Sequence, residues 1–225
     1  KCPHQFNRPD TKLSASMDAF LKEQLSWTEL TRVAEKNIFN NVFLVGNTIV
    51  DSCEYILNNG KTSNQLKTLA EQNAPYYLCT LHRRENIKYY ETMWNQLNVI
   101  SENKNILYIK HPSVPQSAKY LNKNIIQLDP LSYQDMVHLI NHSDGIISDS
   151  GGLQEEAICL EKNILVCRNT SERPETIDYG YGKLVHSNIL DNIDFLENKK
   201  KVKIKSNPYG NKVVDKILNT LDNVS

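Results

Sequence analysis

The chain has 225 residues, 40% of them hydrophobic and 23% charged, proportions of a folded protein with room for one large domain or one and a half ordinary ones. Lys plus Arg and Asp plus Glu number 26 each, so no excess charge points to nucleic acid or a membrane surface as partner, and no apolar run approaches the ~20 residues that span a bilayer. The five cysteines (Cys2, Cys53, Cys79, Cys159, Cys167) are odd in number and show no C-x-x-C spacing, which argues against disulfides and structural zinc and for a reducing, cytoplasmic setting.

In chain order, the opening KCPHQFNRPD lacks the apolar core of a signal peptide, and a first residue other than Met lets the chain be read as a fragment. SMDAFLKEQL and TELTRVAEK suit two helices. From residue 41 onward, short apolar runs alternate with helical patterns. The runs are NVFLVG (41–46), YYLCTL (76–81), ILYIKH (106–111), IIQL (125–128), GIIS (145–148) and NILVC (163–167). They are nearly continuous in hydrophobicity, as strands covered on both faces are. Between and after them come VDSCEYIL (50–57), NQLKTLAEQ (64–72), YETMWNQLNVISE (90–102), SYQDMVHLINH (132–142), LQEEAICL (153–160) and VVDKILNTLDNV (213–224). Regular alternation predicts an α/β protein with a parallel sheet and right-handed crossovers. KKKVKIK (199–205), with five lysines, reads as a solvated loop.

Parallel sheets bind ligands beyond the C-terminal ends of their strands, so those ends are where chemistry is sought. After GIIS comes DSGGLQEEA. Ser150 suits a helix N-cap, and Gly151 and Gly152 its first turn, where main-chain amides lack helical partners and attract anions. Glu156 lies one helical turn beyond Gly152 on the same face. A carboxylate there repels phosphate but can accept bonds from a ribose diol. The pattern fits a nucleoside diphosphate, and it also fits an ordinary capped helix with glycine for close packing. After YYLCTL come His82, Arg83, Arg84 and Glu85, which suit an anion clamp with a general acid and equally occur in an exposed loop, one arginine being paired with Glu85. His111 precedes Pro112 and reads equally as structural or functional. Pro130 ends the next strand, and Ser132 caps the following helix. Arg168 and Arg173 stand near Glu172 and Glu175 after the last run.

HRREN (82–86), HP (111–112), DPLSY (129–133), SDSGGLQEEA (148–157), RNTSERPE (168–175) and NPYGN (207–211) occur in that order, with GNTIVDS (46–52) upstream. Together they resemble the non-hydrolysing UDP-N-acetylglucosamine 2-epimerase family over roughly residues 38–225. The resemblance implies the C-terminal half of a GT-B-like pair of Rossmann-like domains, the active site lying between the two. It implies interconversion of UDP-GlcNAc and UDP-ManNAc by loss and re-addition of UDP, without metal or cofactor, in cell-surface polysaccharide synthesis. By the resemblance, His82 is catalytic. Ser150, Gly151 and Gly152 hold the diphosphate, Glu156 the ribose, and Arg173 lies near the phosphates. Leu131 and Met136 flank the uracil, the second standing where the family usually has an aromatic. Arg83 and His111 line an effector UDP-GlcNAc site.

The resemblance divides the chain into 1–58, the end of a first domain with its hinge helix; 59–206, a UDP-binding domain; and 207–225, a helix crossing back. The family's proton-abstracting acids belong to the first domain and are not in this sequence. The chain is therefore expected to be inactive without that domain, in cis or as a separate chain, and a homodimer is usual for the family. Two other functions fit the same motifs: a hydrolysing epimerase that releases ManNAc and UDP, and a nucleotide-sugar binding module without catalysis.

Overall fold

The computed structural model describes residues 43–114, 120–198 and 207–224. The two helices expected before residue 40 and the lysine run at 199–205 lie outside these. Contacts divide the chain into Lys1–Leu44 and Val45–Ser225; the elements below belong to the second unit.

Six parallel strands form one sheet in the order β3-β2-β1-β4-β5-β6: β1 (Tyr76–Thr80), β2 (Asn105–Ile109), β3 (Ile125–Leu128), β4 (Gly145–Ser148), β5 (Ile164–Val166) and β6 (Gly182–Leu184). This is the doubly wound Rossmann-type order. The helices are α1 (Ile49–Asn59), α2 (Asn64–Asn73), α3 (Tyr90–Ile100), α4 (Tyr133–His142), α5 (Gly151–Cys159), α6 (Pro174–Asp178), α7 (Asp194–Glu197) and α8 (Val213–Val224).

Successive strand residues point to opposite faces, and two cores result. Tyr77, Cys79, Ile106, Tyr108, Ile147 and Leu165 face α3 and α7. Tyr76, Leu78, Leu107, Ile109, Ile146, Ile164 and Val166 face α1, α2, α4 and α5. Burial on both faces is why the strands are unbroken apolar runs. Helix starts follow side-chain caps: Ser63 Oγ accepts from Leu66 N at 3.2 Å and Ser132 Oγ from Asp135 N at 3.2 Å. Helix α5 opens on two poor helix formers, yet Leu153, Ala157 and Ile158 are buried; packing, rather than propensity, holds it.

Two expectations are corrected. Residues 43–46, the described part of the NVFLVG run, form no strand, and Phe43 and Leu44 are exposed. Hydrophobicity makes a strand only where neighbouring strands complete its hydrogen bonds. The sixth strand is instead β6, whose Lys183 and Leu184 are exposed; as a short edge strand it carries no apolar run.

The NPYGN segment meets GNTIVDS. Asn47 N donates to Tyr209 O at 2.9 Å, and Asp51 Oδ2 accepts from Val214 N at 2.6 Å, capping α8. Between them Gly46 has φ +114°, and a Cβ there would stand 2.5 Å from Val213 Cγ2 and 2.6 Å from Tyr209 O. Gly46→Ala combines a left-handed backbone with overlap and is expected to cost about 3 kcal/mol. Thermal unfolding followed by circular dichroism should show a midpoint lowered by roughly 6–12 °C.

Candidate functional site

The strand order reverses between β1 and β4, which run side by side although 67 residues separate Asp149 from His82. A crevice for ligands opens beyond strand ends at such a reversal. The segments that follow β1 and β4 are the two richest in candidate residues.

Strand β4 ends at Ser148 and Asp149, both fully buried. Ser150 is the N-cap of α5 in extended conformation, but its hydroxyl makes no capping bond to the helix. The first-turn amides are thus left to another acceptor. A Cβ on Gly152 would meet nothing within 4 Å, whereas one on Gly151 would lie 3.5 Å from Arg83 Nη2 and 3.6 Å from Glu172 Oε2. The turn is open at Gly152, and at Gly151 it faces the Arg83 guanidinium with the Glu172 carboxylate beside it.

The segment after β1 is tied to Asp149. His82 N donates to its Oδ1 at 3.0 Å and Arg83 N to its Oδ2 at 2.9 Å; Asn86 Nδ2 adds a bond to Oδ2 at 3.0 Å. Burial opposes ionisation of Asp149, but the bonds from His82, Arg83 and Asn86 outweigh it and hold the carboxyl below its ordinary range. His82 Nδ1 lies 3.2 Å from Asp149 Oδ1, a close charge contact that is not aligned as a hydrogen bond. The rings of His82 and His111 stack with centroids 4.6 Å apart. Ser113 Oγ joins them, 2.7 Å from His111 Nδ1 and donating to His82 O at 3.1 Å. Burial first, and then the neighbouring His82, push His111 below its ordinary pKa. His82, Arg83 and His111 therefore form one cluster, and Arg83 connects it to the glycine turn.

Glu156 is 7% exposed. Burial raises its carboxyl to about 7, against a lowering influence from the Tyr133 phenol beside it. Leu131 and Met136 are partly buried on the same side of the sheet, against the core that includes Leu153 and Ala157 of α5. The site thus has the Arg83 guanidinium beside the start of α5, and the apolar Leu131 and Met136 near α4.

One arginine expectation changes. Glu85 pairs with neither Arg83 nor Arg84; it accepts from Arg168 Nε at 2.9 Å. Arg168 is buried and grips both oxygens of Glu172, at 2.7 and 2.9 Å, because a buried guanidinium needs its charge matched. Arg173 is ion-paired with Glu155 and donates Nη1 to Glu172 O at 3.0 Å. Among the described residues no group of three or more His, Cys, Asp or Glu could hold a metal, and no helix is long and apolar enough to cross a membrane.

A family sequence model described as UDP-N-acetylglucosamine 2-epimerase matches residues 15–222. The chain belongs to the UDP-N-acetylglucosamine 2-epimerase family. It is 36% identical over 208 residues to a UDP-N-acetylglucosamine 2-epimerase of Campylobacter jejuni, covering 80% of this chain and 54% of that protein. To one from Escherichia coli K12 it is 32% identical, covering 82% and 55%. The UDP-GlcNAc 2-epimerase of Neisseria meningitidis, solved bound to UDP-GlcNAc, superposes with a TM-score of 0.73 at 29% identity, over 87% of this chain and 59% of that one. The Methanocaldococcus jannaschii enzyme, solved with UDP-GlcNAc and UDP, gives 0.68 at 28% identity, over 93% and 59%. The chain spans about half the length of the curated relatives it matches, and the solved epimerases share the parallel-sheet fold described here.

Sequence reasoning passed over Asp149, Asn86, Tyr90 and Tyr133 in this epimerase fold. Asp149 carried a signal: it is a lone acid directly after an unbroken apolar strand, where no ordinary core packing needs one. Asn86 and Tyr90 carried none, because their role is defined by an acid far away in sequence.

Proposed function

We propose that this chain is the UDP-binding half of a UDP-N-acetylglucosamine 2-epimerase, interconverting UDP-GlcNAc and UDP-ManNAc once a first domain is supplied in cis or as a separate chain. The observation that carries the reading is the Gly151–Gly152 turn at the reversal point of the sheet, with Arg83 over it and Glu156 one helical turn away. The diphosphate sits on the amides of that turn beside Ser150, and Arg83 counters its charge. Glu156 accepts bonds from the ribose, and Leu131 and Met136 border the uracil. Arg173 adds a cation near the phosphates, and Arg83 with His111 provides an effector position for a second UDP-GlcNAc.

In the reaction, a base on the first domain removes the proton at C2 and the bond from C1 to the UDP oxygen breaks, leaving a 2-acetamidoglucal. UDP adds back at C1 as C2 receives a proton on the opposite face. His82, protonated, assists departure of the diphosphate. The base is not among this chain's residues, so the chain alone binds UDP and does not turn over.

Two measurements test this. Calorimetry with UDP should show one saturable site; absence of heat overturns the nucleotide reading. NMR of UDP-GlcNAc incubated with the chain should show no UDP-ManNAc until a first-domain partner is added. Epimerisation by the chain alone overturns the half-enzyme reading. Free ManNAc would instead identify a hydrolysing enzyme, and UDP binding without turnover in the completed pair a binding module.

A further inference from the structure

Asp149 is fully buried and receives more donors than loop closure needs. Its Oδ2 takes Arg83 N at 2.9 Å, Asn86 Nδ2 at 3.0 Å and His82 N at 3.1 Å, with Tyr90 Oη 3.4 Å away. Its Oδ1 takes His82 N at 3.0 Å and stands 3.2 Å from His82 Nδ1, close enough for its charge to favour a proton there although the pair is not aligned as a hydrogen bond. Asn86 Nδ2 also donates to Cys167 O at 2.8 Å and Tyr90 Oη to Arg83 O at 2.6 Å. The carboxylate is therefore braced from two further elements, and one of its oxygens is kept beside the histidine ring. From the other side, His111 stacks on that ring and Ser113 bonds the His82 carbonyl. A neutral imidazole carries one proton on either nitrogen, and the hydrogen bond made by one nitrogen decides the state of the other.

We propose that Asp149 is a positioning residue for His82: it fixes the ring as the Nδ1–H tautomer, so that Nε2 is the nitrogen that exchanges a proton with the departing diphosphate. The catalytic part of this rests on the function proposed above; the tautomer does not. A merely structural Asp149 would tether the β1 loop through the amides of His82 and Arg83 and leave the tautomer to chance.

Asp149→Asn separates the two roles. The Asn carbonyl oxygen can take the place of Oδ2 and keep the amides of His82 and Arg83, Asn86 and Tyr90, while its NH2 group takes the place of Oδ1 and presents a donor to Nδ1. The ring then has to accept at Nδ1 and hold its proton on Nε2. Imidazole nitrogen-15 NMR on the full chain, with His82 assigned by the signals lost in His82→Gln, reads this directly. The wild type should show neutral His82 mostly as Nδ1–H, and Asp149→Asn should move the tautomer ratio toward Nε2–H by ~10-fold or more, the scale of one charge-assisted hydrogen bond. A wild-type His82 protonated on Nε2 overturns the proposal by itself, even if the variant fails to fold. A folded Asp149→Asn that keeps the Nδ1–H form overturns it as well. Calorimetry of the wild type with UDP tests the nucleotide reading separately, so failure of one does not mimic failure of the other.

Discussion

Gly152→Asp should abolish measurable UDP binding while leaving the fold at least as stable as the wild type. A Cβ at this position meets nothing within 4 Å, so the side chain is accommodated without steric cost. Its charge stands where a diphosphate would lie. Two unit charges about 4 Å apart near a protein surface repel by about 4 kcal/mol, and a 100-fold or greater rise in Kd survives substantial screening. The same carboxylate sits in the first turn of α5, where an acid favours the helix by roughly 0.3–1 kcal/mol, and loss of a helical glycine adds about as much again. Calorimetry with UDP and a thermal melt on one preparation check both halves. Wild-type affinity in Gly152→Asp would remove the anion site from the glycine turn.

Glu156→Gln should make the chain more stable at pH 8 and a poorer binder of UDP. Burial raises the Glu156 carboxyl to about 7 from an ordinary 4.5. Its folded value lies above its unfolded one, so protonation contributes stability that is fully present below pH 4.5. That contribution is lost as the pH rises to about 7. Above pH 7 the wild type holds a buried charge at a cost of about 3 kcal/mol, which the neutral amide avoids. The expected gain in melting temperature is roughly 6–12 °C at pH 8, vanishing near pH 4.5. The amide presents one acceptor where the carboxylate presents two, and UDP affinity should fall by about 10-fold, one good hydrogen bond to a charged group. Equal melting shifts at both pH values would show that Glu156 is solvated. Unchanged affinity would show that it does not hold the ribose. This pairing of lower stability with tighter binding is the signature of a group kept for its ligand rather than for the fold.

Much of the fold was legible because its signals are local. A strand covered on both faces must be apolar at every position, so YYLCTL and GIIS stand out without any knowledge of their neighbours. The Ser132 cap acts within three residues. The glycine pair at a strand-to-helix junction is likewise a statement about a few consecutive residues, and its place at the mouth of the sheet follows from alternation alone. The exceptions obey the same logic in reverse. NVFLVG has strand composition, but its described residues 43–46 form no strand, and β6 pairs although it has little composition to mark it. Pairing is a property of two segments, and composition describes only one.

By itself, then, the order of residues determined the parallel α/β class, the helix starts and the candidate anion turn, because each rests on periodicity or on bonds between near neighbours. The three-dimensional packing decided which strand ends face each other. It brought Asp149 to His82 across 67 residues and Arg168 to Glu85 across 83. It also buried Glu156 deeply enough to move its protonation into the neutral range. Such distant partnerships depend on sheet order and on exclusion of water, and neither is encoded in any single stretch of chain.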